Sequence, residues 1–139
     1  MKRINYLILL LAFVAGMVSC SKKAEQQATV KKGTTTTVNV EEFEKRTADS
    51  AHIFILDVRS RQEYEEGHIP GAILINLQDS DFGKQCMKKI PADKTVGVYC
   101  RSGFRSKTAS KILNEAGYNV IHLRDGYNAW KEAGKQLVP

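Results

Sequence analysis

Short apolar segments alternate with amphipathic ones along most of this chain. His52–Val58 is almost uninterrupted in its apolar character, which is typical of a strand buried on both faces of a parallel sheet. Strands that alternate with helices at this spacing predict an α/β domain with a five-stranded, mainly parallel sheet flanked by helices. The remaining predicted strands are Thr36–Val40, Ala72–Ile75, Thr95–Tyr99 and Asn119–Leu123, and the predicted helices are Glu41–Lys45, Gln62–Glu66, 78–90, Ser106–Glu115 and Tyr127–Ala133.

The size and charge of the chain limit the classes of protein it can belong to. Its 139 residues, 42% of them hydrophobic, are enough for one domain with a core. The net charge is +6, but from residue 36 onward 15 basic residues face 14 acidic ones. The excess positive charge therefore lies in the N-terminal segment. Since nucleic-acid binding needs a basic face on the domain itself, no nucleic-acid partner is predicted.

The first residues are typical of an export signal. Lys2 and Arg3 precede Tyr6–Val18, a run of 13 residues without charge. That run is shorter than the roughly 20 residues that a membrane-spanning helix needs, and it fits the apolar region of a secretory signal peptide.

Cys20 directly follows the end of this signal. Ser19 and Cys20 resemble the lipobox of bacterial lipoproteins, with Met17 where leucine is usual. The resemblance implies a signal peptide over 1–19, lipidation of Cys20, and a polar, flexible tether over 20–35. The expected location is the bacterial cell envelope, with the lipid in the membrane and the domain facing the periplasm. The alternative is an incidental cysteine after an ordinary signal peptide.

Cys100 is the candidate nucleophile, because it directly follows the predicted strand Thr95–Tyr99 and ligands of parallel α/β sheets bind at the carboxyl ends of the strands. The N–H groups of the following turn, the start of the next helix and two nearby arginines favour a thiolate, and they would also bind an anionic substrate. Gly103 permits a tight turn, and Ser106 is predicted to cap the helix. The alternative is a buried structural cysteine. The predicted binding residues are Arg101, Ser102, Gly103, Phe104, Arg105 and Ser106.

The segment Cys100–Ser106 resembles the active-site loop of the rhodanese family of sulfurtransferases. The resemblance covers about residues 36–135 and implies one rhodanese-like domain over 36–139. One departure is Asp125, which stands where the family frequently has glycine, at a turn remote from the cysteine in sequence. The other matching segments, in the order of the family, are Leu56–Arg59, Glu63-Tyr64, Gly67–Ala72, Asn76 and Asp125–Trp130.

The resemblance implies sulfur transfer through a persulfide on Cys100. The thiolate would take the outer sulfur of a small anion such as thiosulfate, release sulfite, and pass the sulfur to a thiol or to cyanide. The loop amides would stabilise the persulfide, and Arg101 and Arg105 would position the donor. No metal and no organic cofactor is implied, and a monomer is expected.

Two other functions stay open. A rhodanese-like module could carry or present persulfide sulfur to a partner without turnover of thiosulfate. A cysteine phosphatase is disfavoured, because such enzymes resemble a Cys-x5-Arg pattern, whereas Arg105 lies five positions after Cys100 and Ser106 occupies the sixth.

Three further residues each have a structural and a functional interpretation. Asp57 and Arg59 form either an ion-paired elbow, with Asp57 bonding loop amides and Arg59 pairing with Glu63, or a support that puts Arg59 at the mouth of the site. Cys86 lies at an apolar helical position, which favours core packing. The alternative for Cys86 is a second thiol that resolves the persulfide or forms a disulfide with Cys100.

Overall fold

Five parallel strands and five helices form the part of the chain that the structure, a computed structural model, describes, namely residues 29–139. The elements, in chain order, are β1 (Thr35–Val38), α1 (Val40–Thr47), β2 (Ile53–Asp57), α2 (Arg61–Glu65), β3 (Ile73–Leu74), α3 (Phe82–Lys89), β4 (Thr95–Tyr99), α4 (Phe104–Glu115), β5 (Val120–Leu123) and α5 (Gly126–Glu132). The strands lie in the order β1-β5-β4-β2-β3, and every pairing is parallel. The predicted α/β class and five-stranded sheet are confirmed. The predicted signal peptide, Cys20 and the first part of the tether lie outside the described residues.

The interior position of β2, between β4 and β3, explains the apolar run around it. β2 pairs with β4 along its whole length, from Ile53 opposite Thr95 to Asp57 opposite Tyr99. The last two residues of β2 and the last four of β4 are buried, whereas the first three of β2 are partly buried, so both strands are covered on both faces at their carboxyl ends. Because the pairing is parallel, β2 and β4 end at the same edge of the sheet, and the segment after Asp57 lies beside the segment after Tyr99.

Two buried apolar clusters join the helices to the sheet, one containing residues of α3 and α4 and the other containing residues of α1 and α5. Cys86 and Cys100 both belong to the first cluster, and both are free thiols. Burial raises the pKa of Cys86 to about 12, so its thiol stays protonated at neutral pH. The predicted core position of Cys86 is confirmed, and the disulfide alternative is absent from this structure.

The helix after the cysteine begins earlier than predicted. α4 starts at Phe104, and Gly103 is its N-cap residue. Ser106 lies inside the first turn, where its buried hydroxyl is 2.7 Å from Nε2 of His122 on β5. The predicted capping role of Ser106 is therefore wrong, because tertiary packing against β5 supplies a partner that local sequence does not reveal.

The N-terminal segment joins the domain slightly before residue 36. The Gly33 N–H donates to the Asn114 carbonyl at 2.9 Å, and a Cβ on Gly33 would lie 1.8 Å from the Tyr118 carbonyl oxygen. Glycine is thus required by close backbone approach, and the last residues of the predicted tether are packed on α4 and the turn that follows it. Within residues 29–139, none of the helices combines the length and the apolar character needed to cross a membrane.

Candidate active site

Cys100 lies directly after β4, at the carboxyl edge of the sheet, as the sequence predicts. The residue is 1% exposed, and its Sγ accepts a hydrogen bond from the Gly103 N–H at 3.1 Å. A backbone N–H that points at sulfur stabilises negative charge there. We call the segment Cys100–Arg105 the cysteine loop.

Gly103 allows the cysteine loop to fold back on its own sulfur. Its φ is +96°, in the left-handed region that favours glycine. A Cβ at this position would lie 1.7 Å from the Arg124 carbonyl oxygen, so any side chain would force the loop away from the end of β5. The predicted requirement for glycine at this turn is confirmed.

The start of α5 supports the cysteine loop from the other side. The Tyr127 N–H donates to the Cys100 carbonyl at 2.8 Å, and the Asn128 N–H donates to the Arg101 carbonyl at 3.0 Å. Gly126 has a φ of +64°, and a Cβ there would lie 2.5 Å from the Cys100 carbonyl oxygen. The Asp125–Trp130 segment, remote from Cys100 in sequence, is in direct contact with it in space. The sequence of this segment resembles the family motif but gives no local signal that its N–H groups orient the first two peptides of the loop.

Glu63 connects both arginines of the cysteine loop, a contact that sequence analysis missed. Its Oε1 accepts from Arg101 Nε at 2.8 Å and from one Arg105 terminal nitrogen at 2.8 Å, and its Oε2 accepts from the other Arg105 terminal nitrogen at 2.9 Å. The Glu63 side chain is 14% exposed. We call this arrangement of Glu63, Arg101 and Arg105 the Glu63 bridge. The two arginines predicted to bind substrate are thus close together, and both donate to the Glu63 carboxylate.

The charges of the Glu63 bridge shift the ionisation of its members. Hydrogen bonds from Arg105 are the largest cause that holds the pKa of Glu63 well below its usual range; burial opposes them, and the Ser60 N–H and Arg101 add to them. Hydrogen bonds to Glu63 are the largest cause that raises the pKa of Arg105; burial opposes them, and charge interactions with Glu63 and with Cys100 add to them. Arg105 therefore interacts electrostatically with the candidate nucleophile as well as with Glu63.

The position of Glu63 is fixed by the helix on which it lies. The Ser60 hydroxyl accepts from the Glu63 N–H at 3.2 Å, and Glu63 Oε2 accepts from the Ser60 N–H at 2.9 Å. This reciprocal capping box starts α2 and leaves the carboxylate little freedom. The serine followed three residues later by glutamate was a signal for the cap, but not for the contact with the cysteine loop.

Asp57 and Arg59 form a buried ion pair beside the cysteine loop. Arg59 donates from Nε to both Asp57 oxygens at 3.0 Å and from a terminal nitrogen to Oδ2 at 2.7 Å. The same terminal nitrogen donates to the Gly67 carbonyl at 2.7 Å, and the guanidinium lies 4.2 Å from the centre of the Tyr127 ring. Arg59 is 1% exposed. The predicted ion-paired elbow is confirmed, but the predicted partner Glu63 is wrong, and so is the placement of Arg59 at an open mouth.

The remaining predicted binding residues differ in their access to solvent. Ser102 is exposed, and Phe104 is 83% exposed at the tip of the loop. Ser106 is fully buried, and its hydroxyl is engaged with His122; that it binds substrate stays a prediction. Burial lowers the pKa of His122, which fits a neutral ring that bonds Ser106 and approaches Thr37 Oγ1 at 3.4 Å. Within residues 29–139, no three histidine, cysteine or carboxylate side chains are grouped as metal ligands would be.

Comparisons with known proteins agree with this fold. A family model described as "Rhodanese-like domain" matches residues 39–133. The chain is 34% identical over 102 residues to a sulfurtransferase from Allochromatium vinosum, which covers 73% of this chain and 92% of that one. It is 35% identical over 88 residues to a putative sulfurtransferase from Bacillus subtilis, and the match covers 63% of this chain and 82% of that one. A solved structure of a rhodanese-related protein from Thermoplasma volcanium has a TM-score of 0.63 at 27% identity, covering 73% of this chain and 96% of that one.

Proposed function

Since this chain belongs to the rhodanese-like domain family, we propose that it transfers sulfane sulfur by way of a persulfide on Cys100. The observation that carries the proposal is the position of Cys100 Sγ at the end of β4, where the Gly103 N–H donates to it and Arg105 lies within electrostatic reach. A sulfur atom in these surroundings is stabilised as an anion, both as a thiolate and as a persulfide.

The first half-reaction loads the protein. The Cys100 thiolate attacks the outer sulfur of a donor such as thiosulfate, a new S–S bond forms at Sγ, and the bond between the two donor sulfurs breaks. Sulfite leaves with the electron pair of that bond, so no external oxidant or reductant is needed. The extra negative charge moves to the outer sulfur of the persulfide, where the N–H groups of the cysteine loop would stabilise it.

The second half-reaction unloads the sulfur. A thiolate or cyanide attacks the outer sulfur, the S–S bond to Sγ breaks, and the Cys100 thiolate is restored. Because donor and acceptor react in turn at the same atom, the two substrates give ping-pong kinetics. The physiological donor and acceptor are small sulfur compounds or protein thiols of this reactivity.

Turnover with thiosulfate and cyanide tests the proposal. The protein is expected to form thiocyanate with parallel double-reciprocal plots, Cys100→Ser is expected to form none, and Cys86→Ser is expected to retain turnover because Cys86 is a buried core residue. Hydrolysis of an aryl phosphate without any thiocyanate formation would instead support a cysteine phosphatase.

A sulfur carrier that delivers to a protein partner is the second candidate function. The exposed Phe104 ring, on the first residue of α4, favours it, since aromatic side chains are enriched at the contact surfaces of proteins. A carrier of this kind would take up sulfur on Cys100 but release it slowly to cyanide.

A further inference from the structure

We propose that Glu63 tunes the charge preference of the Cys100 site and disfavours the dianion thiosulfate relative to sulfane donors with a single negative charge. This inference rests on the proposed sulfur transfer and specifies its donor class. The class comprises persulfides and thiosulfonates, in which the sulfane sulfur carries the one charge next to the bond that breaks.

The hydrogen bonds of the Glu63 bridge occupy the two arginines that would bind a donor. Arg105 donates to both carboxylate oxygens of Glu63, and Arg101 donates through Nε to one of them. The guanidinium groups that would bind the oxyanion of a donor are thus already engaged by an internal carboxylate. A donor can bind only to the guanidinium N–H groups that do not donate to this carboxylate.

The charges around Cys100 nearly cancel one another. In the Glu63 bridge, the two guanidinium charges and the one carboxylate charge leave a single positive charge. The Cys100 thiolate offsets that charge, so a donor approaches a site with no net attraction for a second anion. The buried Asp57–Arg59 pair beside the loop is itself balanced. Repulsion from the Glu63 carboxylate grows in proportion to the charge of the donor, so this carboxylate opposes a dianion about twice as strongly as a monoanion.

The capping box shows why a donor does not simply displace Glu63. Oε2 of Glu63 also accepts from the Ser60 N–H at 2.9 Å, and the Ser60 hydroxyl accepts from the Glu63 N–H. Movement of the carboxylate away from the arginines would therefore strain the start of α2. The negative charge stays in the site while the donor reacts.

The loading step with a monoanionic donor balances in the same way as with thiosulfate. The thiolate attacks the sulfane sulfur of R–S–S⁻ or R–SO₂–S⁻, the bond inside the donor breaks, and a thiolate or a sulfinate leaves with the electron pair. Each side of either reaction carries two negative charges, against three for thiosulfate.

The experiment compares methanethiosulfonate with thiosulfate, two donors that differ mainly by a methyl group in place of a charged oxygen. Rate constants for sulfur loading are measured by intact mass in the wild type, in Glu63→Gln and in Glu65→Gln. Glutamine removes the charge but can still complete a capping box. Glu65 lies on the same helix and pairs with Arg61 at 3.8 Å, so its variant is the matched control for loss of one charge from α2.

Glu63→Gln is expected to raise the thiosulfate rate relative to the methanethiosulfonate rate by about three- to tenfold, while Glu65→Gln leaves the ratio unchanged. An unchanged ratio in Glu63→Gln, or an equal change in Glu65→Gln, overturns the proposal.

Alkylation of Cys100 separates this inference from the proposed function. Iodoacetate and iodoacetamide share one reaction but differ in charge, and neither needs sulfur transfer. Glu63→Gln is expected to raise the iodoacetate rate relative to iodoacetamide. If no variant loads sulfur but the alkylation ratio still rises, the proposed function fails while the charge preference stands; a ratio that stays constant refutes the charge preference.

Discussion

At the scale of single residues, the surroundings of the reactive sulfur are made mainly by the backbone. The Gly103 N–H donates to Cys100 Sγ, and the Tyr127 N–H donates to the Cys100 carbonyl. Both contacts depend on a glycine with positive φ, Gly103 in the first case and Gly126 in the second. The geometry of the site therefore depends on residues that offer no functional group of their own.

Gly126→Ala tests this dependence. A Cβ at this position would lie 2.5 Å from the Cys100 carbonyl oxygen, so the start of α5 must move away from the cysteine loop. We expect the free energy of unfolding to fall by about 2–4 kcal/mol and sulfur loading to slow. Urea unfolding and intact-mass kinetics measure the two effects.

Gly134→Ala is the matched control for Gly126→Ala. Gly134 has a φ of +68°, close to the +64° of Gly126, but a Cβ there would meet nothing within 4 Å. In Gly134→Ala the free energy of unfolding is expected to fall by about 1–2 kcal/mol, the cost of the left-handed backbone alone. The rate of sulfur loading is expected to stay unchanged. Equal losses in both variants would contradict the role assigned to the contact with Cys100.

Individual residues differ in how far the sequence could predict them. The positions of Cys100 at the end of β4 and of Gly103 in the turn were predicted correctly because a buried strand followed by a tight turn is a local pattern. Ser106 was misassigned because its partner His122 lies 16 residues further along the chain. The contact between Glu63 and Arg105 spans 42 residues, and no local pattern encodes a pairing of that separation.

At the scale of elements, α2 and α5 hold the cysteine loop between them. α5 contributes two backbone N–H groups to the loop carbonyls, and α2 contributes the Glu63 carboxylate to the loop arginines. Neither helix carries the nucleophile, yet each fixes part of the loop that follows β4. The parallel pairing of β2 with β4 explains this, since it brings the segments after both strands to one edge.

The link between α2 and the loop predicts a pH dependence of stability. The pKa of Glu63 is lowered in the folded protein, so its contribution to stability is complete above the ordinary glutamate pKa and is lost as the pH falls through the acidic range. The free energy of unfolding of the wild type should exceed that of Glu63→Gln at neutral pH, and the gap should narrow on acidification. Urea unfolding at about pH 7 and about pH 4 measures the gap.

Glu65→Gln serves as the reference for this titration, because the Glu65 side chain is 65% exposed and exposed ion pairs contribute little. The free energy of unfolding of Glu65→Gln is expected to differ little from that of the wild type at both pH values. A gap for Glu63→Gln that widens on acidification would be inconsistent with the lowered pKa.

At the scale of the whole molecule, the sheet was more predictable than the contacts between its loops. The five strands follow from apolar runs such as His52–Val58 and from their alternation with helices. The boundary of the domain was less predictable: Gly33 packs on Asn114 and Tyr118, although its polar neighbours in sequence predict a free tether. A polar segment can be held by backbone hydrogen bonds that its composition does not reveal.

The N-terminal segment predicts how the whole molecule is held in the cell. We propose that Cys20 is lipidated and anchors the domain to the bacterial envelope, on the basis of the signal-like residues before it. Cys20→Ser is expected to move the protein from the membrane fraction to the soluble fraction, since the acyl chains supply the membrane affinity. Cys86→Ser, a matched change in the core, is expected to stay with the membrane; retention of Cys20→Ser in that fraction would argue against the anchor.

We propose above all that Cys100 is the residue that carries the sulfane sulfur. Peptide mass mapping after incubation with a donor tests this most directly. One added sulfur, about 32 Da, is expected on the peptide that contains Cys100, removable by cyanide and absent in Cys100→Ser. The peptide that contains Cys86 should remain unchanged. Sulfur found on Cys86 instead, or loading that persists in Cys100→Ser, would contradict the account.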